Sequence, residues 1–158
     1  MSFQIHALPA EDFAPLFDLT EEALAARQAC RKVVETSPGV PCRISLADAE
    51  AGETVILVNY EHQPGNSPYR SSHAIYVREG VAQARLARGE VPEILRTRLI
   101  SLRLFDAAHM MIGADVVDGT ELAAAIETAF EDGNVAYAHL HIARPGCFAA
   151  SVTRAGGE

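Results

Sequence analysis

Positive charge is scarce: 13 Lys and Arg stand against 21 Asp and Glu, a formal net charge of -8 over 158 residues. Such a chain repels a polyanion unless a local basic patch reverses the field. The densest basic stretch is only Arg96, Arg98 and Arg103, so no nucleic-acid partner is expected. Long apolar runs are also missing. Nothing approaches the roughly 18 residues of a membrane-spanning helix, and Met1 to Pro9 has neither the basic start nor the apolar stretch of a secretion signal. A cytoplasmic protein without a membrane partner is expected. Cysteine is limited to Cys30, Cys42 and Cys147, an odd set with no CxxC spacing. That pattern excludes a disulfide framework and a zinc ribbon and fits a reducing compartment. Low-complexity segments, linkers and internal repeats are absent too. With apolar residues at 49% and spread along the chain, one ordered domain over 1–158 is expected.

The alternation in Phe3 to Leu8 predicts a short strand that Pro9 ends. Two short helical patterns follow. In the second, Asp18 is placed to cap with Glu21, and Leu19, Ala23, Ala26 and Cys30 share one face, which predicts a buried Cys30. Val33-Val34 suggests a strand, and the turn Ser37-Pro38-Gly39-Val40-Pro41 delivers Cys42 into a strand-like Arg43 to Leu46. Thr54 to Tyr60 is the strongest strand signal, apolar at first and polar by its end, as at a rim. A long loop, 64 to 72, leads to the strand His73 to Arg78. Pairing about the loop centre sets Tyr60 opposite Ile75 and His62 opposite His73.

A short helix near Pro92 and strands over Leu99 to Phe105 and Met110 to Val117 come next. Asp118 and Glu121 then open a helix whose stripe, Leu122, Ala125, Ile126, Ala129 and Phe130, covers a sheet. The last strands are Val135 to Ile142 and Cys147 to Val152. Strands cluster in hairpins more than they alternate with helices. The class predicted is therefore α+β, a mainly antiparallel sheet with helices packed on one side.

Residues with chemistry gather in three segments, 38–43, 59–73 and 137–147. In Tyr137 to Ile142, period two sets Tyr137, His139 and His141 on one face and Ala138, Leu140 and Ile142 on the other, under the helix. Two imidazoles spaced i and i+2 can reach one metal ion, with His62 or His73 as a third ligand. The plainer alternative is a half-exposed polar face, and no metal or cofactor is assigned. Cys147 follows Arg144-Pro145-Gly146, where a cation favours a thiol nucleophile, although a small buried side chain reads equally well. His139, His141 and Cys147 are the catalytic candidates. Asn59, Glu61, Arg70, His73 and Arg144 are the ligand-binding candidates. Arg70 and Arg144 suit a carboxylate or phosphate, while Glu61 paired with Arg70 would only staple the loop. His6 and His109 look incidental.

Pro41-Cys42-Arg43, Asn59 to Gln63 continuing to Pro68-Tyr69-Arg70-Ser71-Ser72-His73, and His139-Leu140-His141 with Ala143 to Cys147 resemble a bacterial family, the domain of unknown function twelve hundred and three. The resemblance covers nearly the whole chain and implies one compact domain without naming an activity. Similar proteins often have asparagine at the position of Ile142 and cysteine at that of Ala150. The function expected is a small-molecule site for an anionic ligand, with or without catalysis, where the 59–73 hairpin end meets the 139–147 turn. The alternative is a non-catalytic interaction or structural domain, open to homo-oligomerisation through a sheet edge or face.

Overall fold

Hairpin connections and period-two burial generate two antiparallel sheets in the computed structural model, which describes residues 2–156. The larger sheet has the order β1-β8-β7-β5-β6, formed by β1 (Phe3–His6), β5 (Leu99–Phe105), β6 (Met111–Asp118), β7 (Tyr137–Ile142) and β8 (Phe148–Arg154). The smaller has the order β2-β3-β4, from β2 (Ala29–Val33), β3 (Thr54–Gln63) and β4 (Ser71–Arg78). Helices are short: α1 (Glu21–Ala26), α2 (Glu93–Arg96) and α3 (Leu122–Ala129). The class is α+β, with the strands divided between two sheets.

One face of the larger sheet is apolar because its inward positions are aliphatic. Ile100, Leu102, Ala138, Leu140, Ile142 and Val152 pack in one cluster with Ile94 and Leu95 of α2 and Leu122 and Ile126 of α3. The predicted helix stripe is thus the lid of this core. Arg154 closes its end: the guanidinium donates to the carbonyls of Phe130 and Asp132 at 3.0 and 2.9 Å. It also sits 4.9 Å from the centre of the Phe130 ring.

The opposite face carries Arg103, Phe105, Tyr137, His139, His141 and Phe148, and here the smaller sheet packs. Tyr60 lies 5.9 Å from Phe148, and His62 stacks on the same ring at 5.6 Å. A second apolar cluster of Phe13, Leu16, Leu24, Ile56, Val58, Ile75 and Val77 fills the smaller sheet's own side.

Four local expectations are corrected. Thr20, not Asp18, caps α1, its Oγ1 accepting the Ala23 N–H at 3.1 Å. The helix ends at Ala26, so Cys30 falls on β2 and is exposed. Residues 43–46 form turns instead of a strand, because the chain bends so that Leu46 N–H reaches the Cys42 carbonyl at 2.9 Å. Finally, Tyr60 pairs with His73, not Ile75, and the register shifts again before Gln63 pairs with Ser71. That bulge breaks the in-out alternation, so the adjacent His62 and Gln63 are both buried.

Two sheet edges differ in cover. Beside β1, Gln4 donates to the Leu86 carbonyl at 2.9 Å and Gly89 N–H to that of Phe3 at 2.9 Å. Strand β6 ends the other side, with Ile112 and Val116 exposed.

Candidate functional site

A cleft of about 730 Å³ opens between the end of the larger sheet and the middle of β3 and β4 in the smaller one. Arg43 comes from the turn after Pro41, His73 and Tyr76 from β4, and Arg98 from the link between α2 and β5. Asp118 ends β6, and Arg144 and Cys147 come from the turn between β7 and β8. Gly146 makes that turn possible with φ of +82°, a backbone that side-chain-bearing residues rarely adopt. Its N–H reaches the Ile142 carbonyl at 2.9 Å, and Ile142 N–H reaches the Cys147 carbonyl at 2.9 Å.

Arg43 is 1% exposed. Its Nε donates to the Phe148 carbonyl at 2.8 Å, Nη1 to the Pro41 carbonyl at 2.6 Å, and Nη2 to Cys147 Sγ at 2.8 Å. Burial pushes the guanidinium below its ordinary value, and the charge and hydrogen bond offered by Cys147 are the main opposing influences. Arg98 is bidentate to Asp48, Nη2 to Oδ1 at 2.6 Å and Nη1 to Oδ2 at 3.1 Å. Arg144 is exposed and takes part in none of the ion pairs among the described residues.

His139 and His141 lie apart from the cleft walls in a buried aromatic cluster. Ring centres are 4.8 Å apart for His62 and His141, 6.3 Å for His62 and His139, and 6.4 Å for His139 and His141. The two β7 histidines do share one face, but the face is buried, not half exposed as the plainer reading held. His141 Nδ1 pairs with the Gly146 carbonyl at 2.9 Å, and His62 Nε2 with Ser71 Oγ at 3.0 Å. The Nδ1 atoms of His62 and His139 are buried without a partner. Burial, then the nearby His62 and Arg103 charges, depresses His139 to about 4. Burial also takes His141 to about 3, against the opposing bond to Gly146. His62 is lowered by burial, Arg103 and His73. The His139 and His141 rings are therefore neutral near pH 7. Among the described residues no three His, Cys, Asp or Glu side chains are set to hold a metal ion.

The ligand candidates divide. His73, Arg144 and Cys147 share the cleft. Arg70 is instead paired with Glu61, Nε to Oε2 at 3.1 Å, on an exposed part of the hairpin. Asn59 is exposed and lines a separate depression with Gln28 and Cys30. His109 is not incidental: its Nδ1 meets Tyr137 Oη at 2.8 Å, and Gln63 Nε2 donates to the same oxygen at 2.8 Å. Arg43, Tyr76, Arg98 and Asp118 line the cleft without being among the candidates. For Arg43 the signals were its place in the 38–43 segment and the Pro41-Cys42-Arg43 motif, but alternation would turn it toward solvent.

Fold and cleft define an α+β protein of two antiparallel sheets with an arginine-lined cavity at their junction. No helix is long and apolar enough to cross a membrane among the described residues. Residues 39–154 match the family described as "Protein of unknown function (DUF1203)", and the chain belongs to that family. The matched region includes every residue named above as lining the cleft. No curated protein and no solved structure matches the chain.

Proposed function

We propose that the protein binds a small anionic molecule in the cleft, with Arg144 meeting the anion. The observation that carries this reading is three guanidinium groups, Arg43, Arg98 and Arg144, on the wall of one cavity in a chain of net charge -8. The cavity volume lies within the usual range of small-molecule sites. Cations focused in a concave, low-dielectric wall attract an anion even when the whole surface is acidic. Two of the three already have partners, and Arg144 is the one left to supply a planar, bidentate donor pair. Arg70 plays no part, being tied to Glu61. The setting is a reducing cytoplasm, a reading supported by three cysteines that are all unpaired.

Thermal melts of the parent and Arg144→Ala, each with inorganic phosphate and a series of small carboxylates, test the proposal. The parent is expected to gain stability with at least one anion. Arg144→Ala is expected to melt close to the parent and to ignore the same anion. The opposite pattern refutes the reading: a parent indifferent to every anion, and a variant weakened by the roughly 1 to 3 kcal/mol of lost charged hydrogen bonds.

A second reading, a homo-oligomer joined through a sheet edge, is favoured by the exposed Ile112 and Val116 on β6. A concentration-independent monomer mass by light scattering would exclude it.

A further inference from the structure

We propose that Cys147 is a nucleophilic thiol and that its reaction partner is a small anion carrying an electrophilic carbon. This rests on the anion reading of the cleft and supplies its chemistry. Arg43 is the starting point. A guanidinium with almost no solvent contact is costly unless it is both hydrogen-bonded and charge-balanced. Carbonyls of Phe148 and Pro41 satisfy two of its nitrogens. They bring no net charge. The ion pairs among the described residues use Arg31, Arg70, Arg78 and Arg98, so Arg43 has no carboxylate partner. Its third nitrogen points to Cys147 Sγ at 2.8 Å, the one side-chain acceptor it has. A cation beside a cysteine is the arrangement that makes sulfur reactive.

The other two cysteines serve as internal controls. Cys42 is fully buried among apolar groups, receives only the backbone N–H groups of Ser45 and Arg78 at 3.5 and 3.3 Å, and is no part of the cleft wall. Cys30 is exposed on β2 and outside the cleft. Only Cys147 combines a guanidinium contact with a place in the cavity. Its turn is braced from behind by His141, whose Nδ1 meets the Gly146 carbonyl at 2.9 Å. His141 is thus a positioning residue, and Arg144, three residues before the sulfur, holds the anionic end of the substrate.

The step balances without an oxidant. The thiol proton leaves to solvent, and the charge left on sulfur lies against Arg43. The sulfur pair then forms the S–C bond. The bond from that carbon to its leaving group breaks, and the leaving group departs with the bonding pair.

Iodoacetate and iodoacetamide separate the parts of the idea, since they differ in charge and share iodide as leaving group. The native full-length chain is treated with each in turn. Modification of Cys147 is followed by peptide mass spectrometry relative to Cys30 in the same tube. The ratio of Cys147 to Cys30 labelling is expected to be about tenfold or more higher with iodoacetate. It is expected to fall toward the iodoacetamide value in Arg144→Ala and on adding inorganic phosphate. Cys147 that stays unlabelled by both reagents until denaturant is added, while Cys30 reacts, overturns the inference even if phosphate raises the melting temperature. Equal ratios for the two reagents overturn the anionic substrate class. If phosphate also leaves the melting temperature unchanged, the anion reading of the cleft fails with it.

Discussion

Imidazoles kept from water make stability depend on acidity with a definite sign. In the folded chain His139 and His141 hold values of about 4 and about 3 against the ordinary 6.5. The unfolded chain therefore takes up protons first as pH falls. Their contribution is intact above about pH 6.5 and is lost between there and pH 4 to 3. For His139 alone the full loss is on the order of 3 kcal/mol. Urea unfolding at pH 7 and pH 4.5 should show the parent much weaker at the lower pH, and His139→Gln should narrow the difference. A parent equally stable at both would contradict the burial argument. The pairing of the two histidines on one face was legible in their spacing. Their burial was not, because it depends on His62 arriving from a strand 75 residues or more away.

Elements were legible where one period persists and illegible where backbone contacts decide. The stripe of α3 and the inward set of β7 were both readable, and Leu140 is fully buried beneath that helix. Leu140→Ala is expected to cost about 2 to 5 kcal/mol of unfolding free energy, measured by denaturant titration. The β3 bulge left no comparable trace, since its register is set by packing at the hairpin loop. There, a methyl group on Gly65 would stand 2.5 Å from the His109 ring. Gly119 is tighter still: a Cβ there would lie 1.8 Å from the Leu95 carbonyl oxygen. That neighbour is backbone and cannot swing aside. Gly119→Ala should lose at least the roughly 1 to 3 kcal/mol of an overpacked core, read as a drop in urea midpoint. The burial of Arg43 escaped sequence reading for the same reason as the bulge, because it depends on the Phe148 carbonyl and Cys147 sulfur arriving from a distant segment.

An exposed thiol, the edge strand β6 and a surplus of carboxylates govern how whole molecules meet. Denatured without reductant and alkylated, the chain should gain three adducts in intact mass. One adduct with a two-dalton deficit would instead reveal a disulfide. Edge strand β6 offers Ile112 and Val116 to any neighbour, and its defence is charge: Asp115 and Asp118 stand on the same strand. Asp115 Oδ1 also occupies the backbone N–H of Val116 at 2.8 Å, so one donor on this strand already has an acceptor. The sequence pI of about 5.2 marks where net repulsion between molecules vanishes. Light scattering should therefore peak near pH 5 and subside in Val116→Lys, which returns charge to the edge. A strand laid down to finish a sheet thus sets the colloidal limit of the protein, and Asp115 acts as a stopper on its open edge.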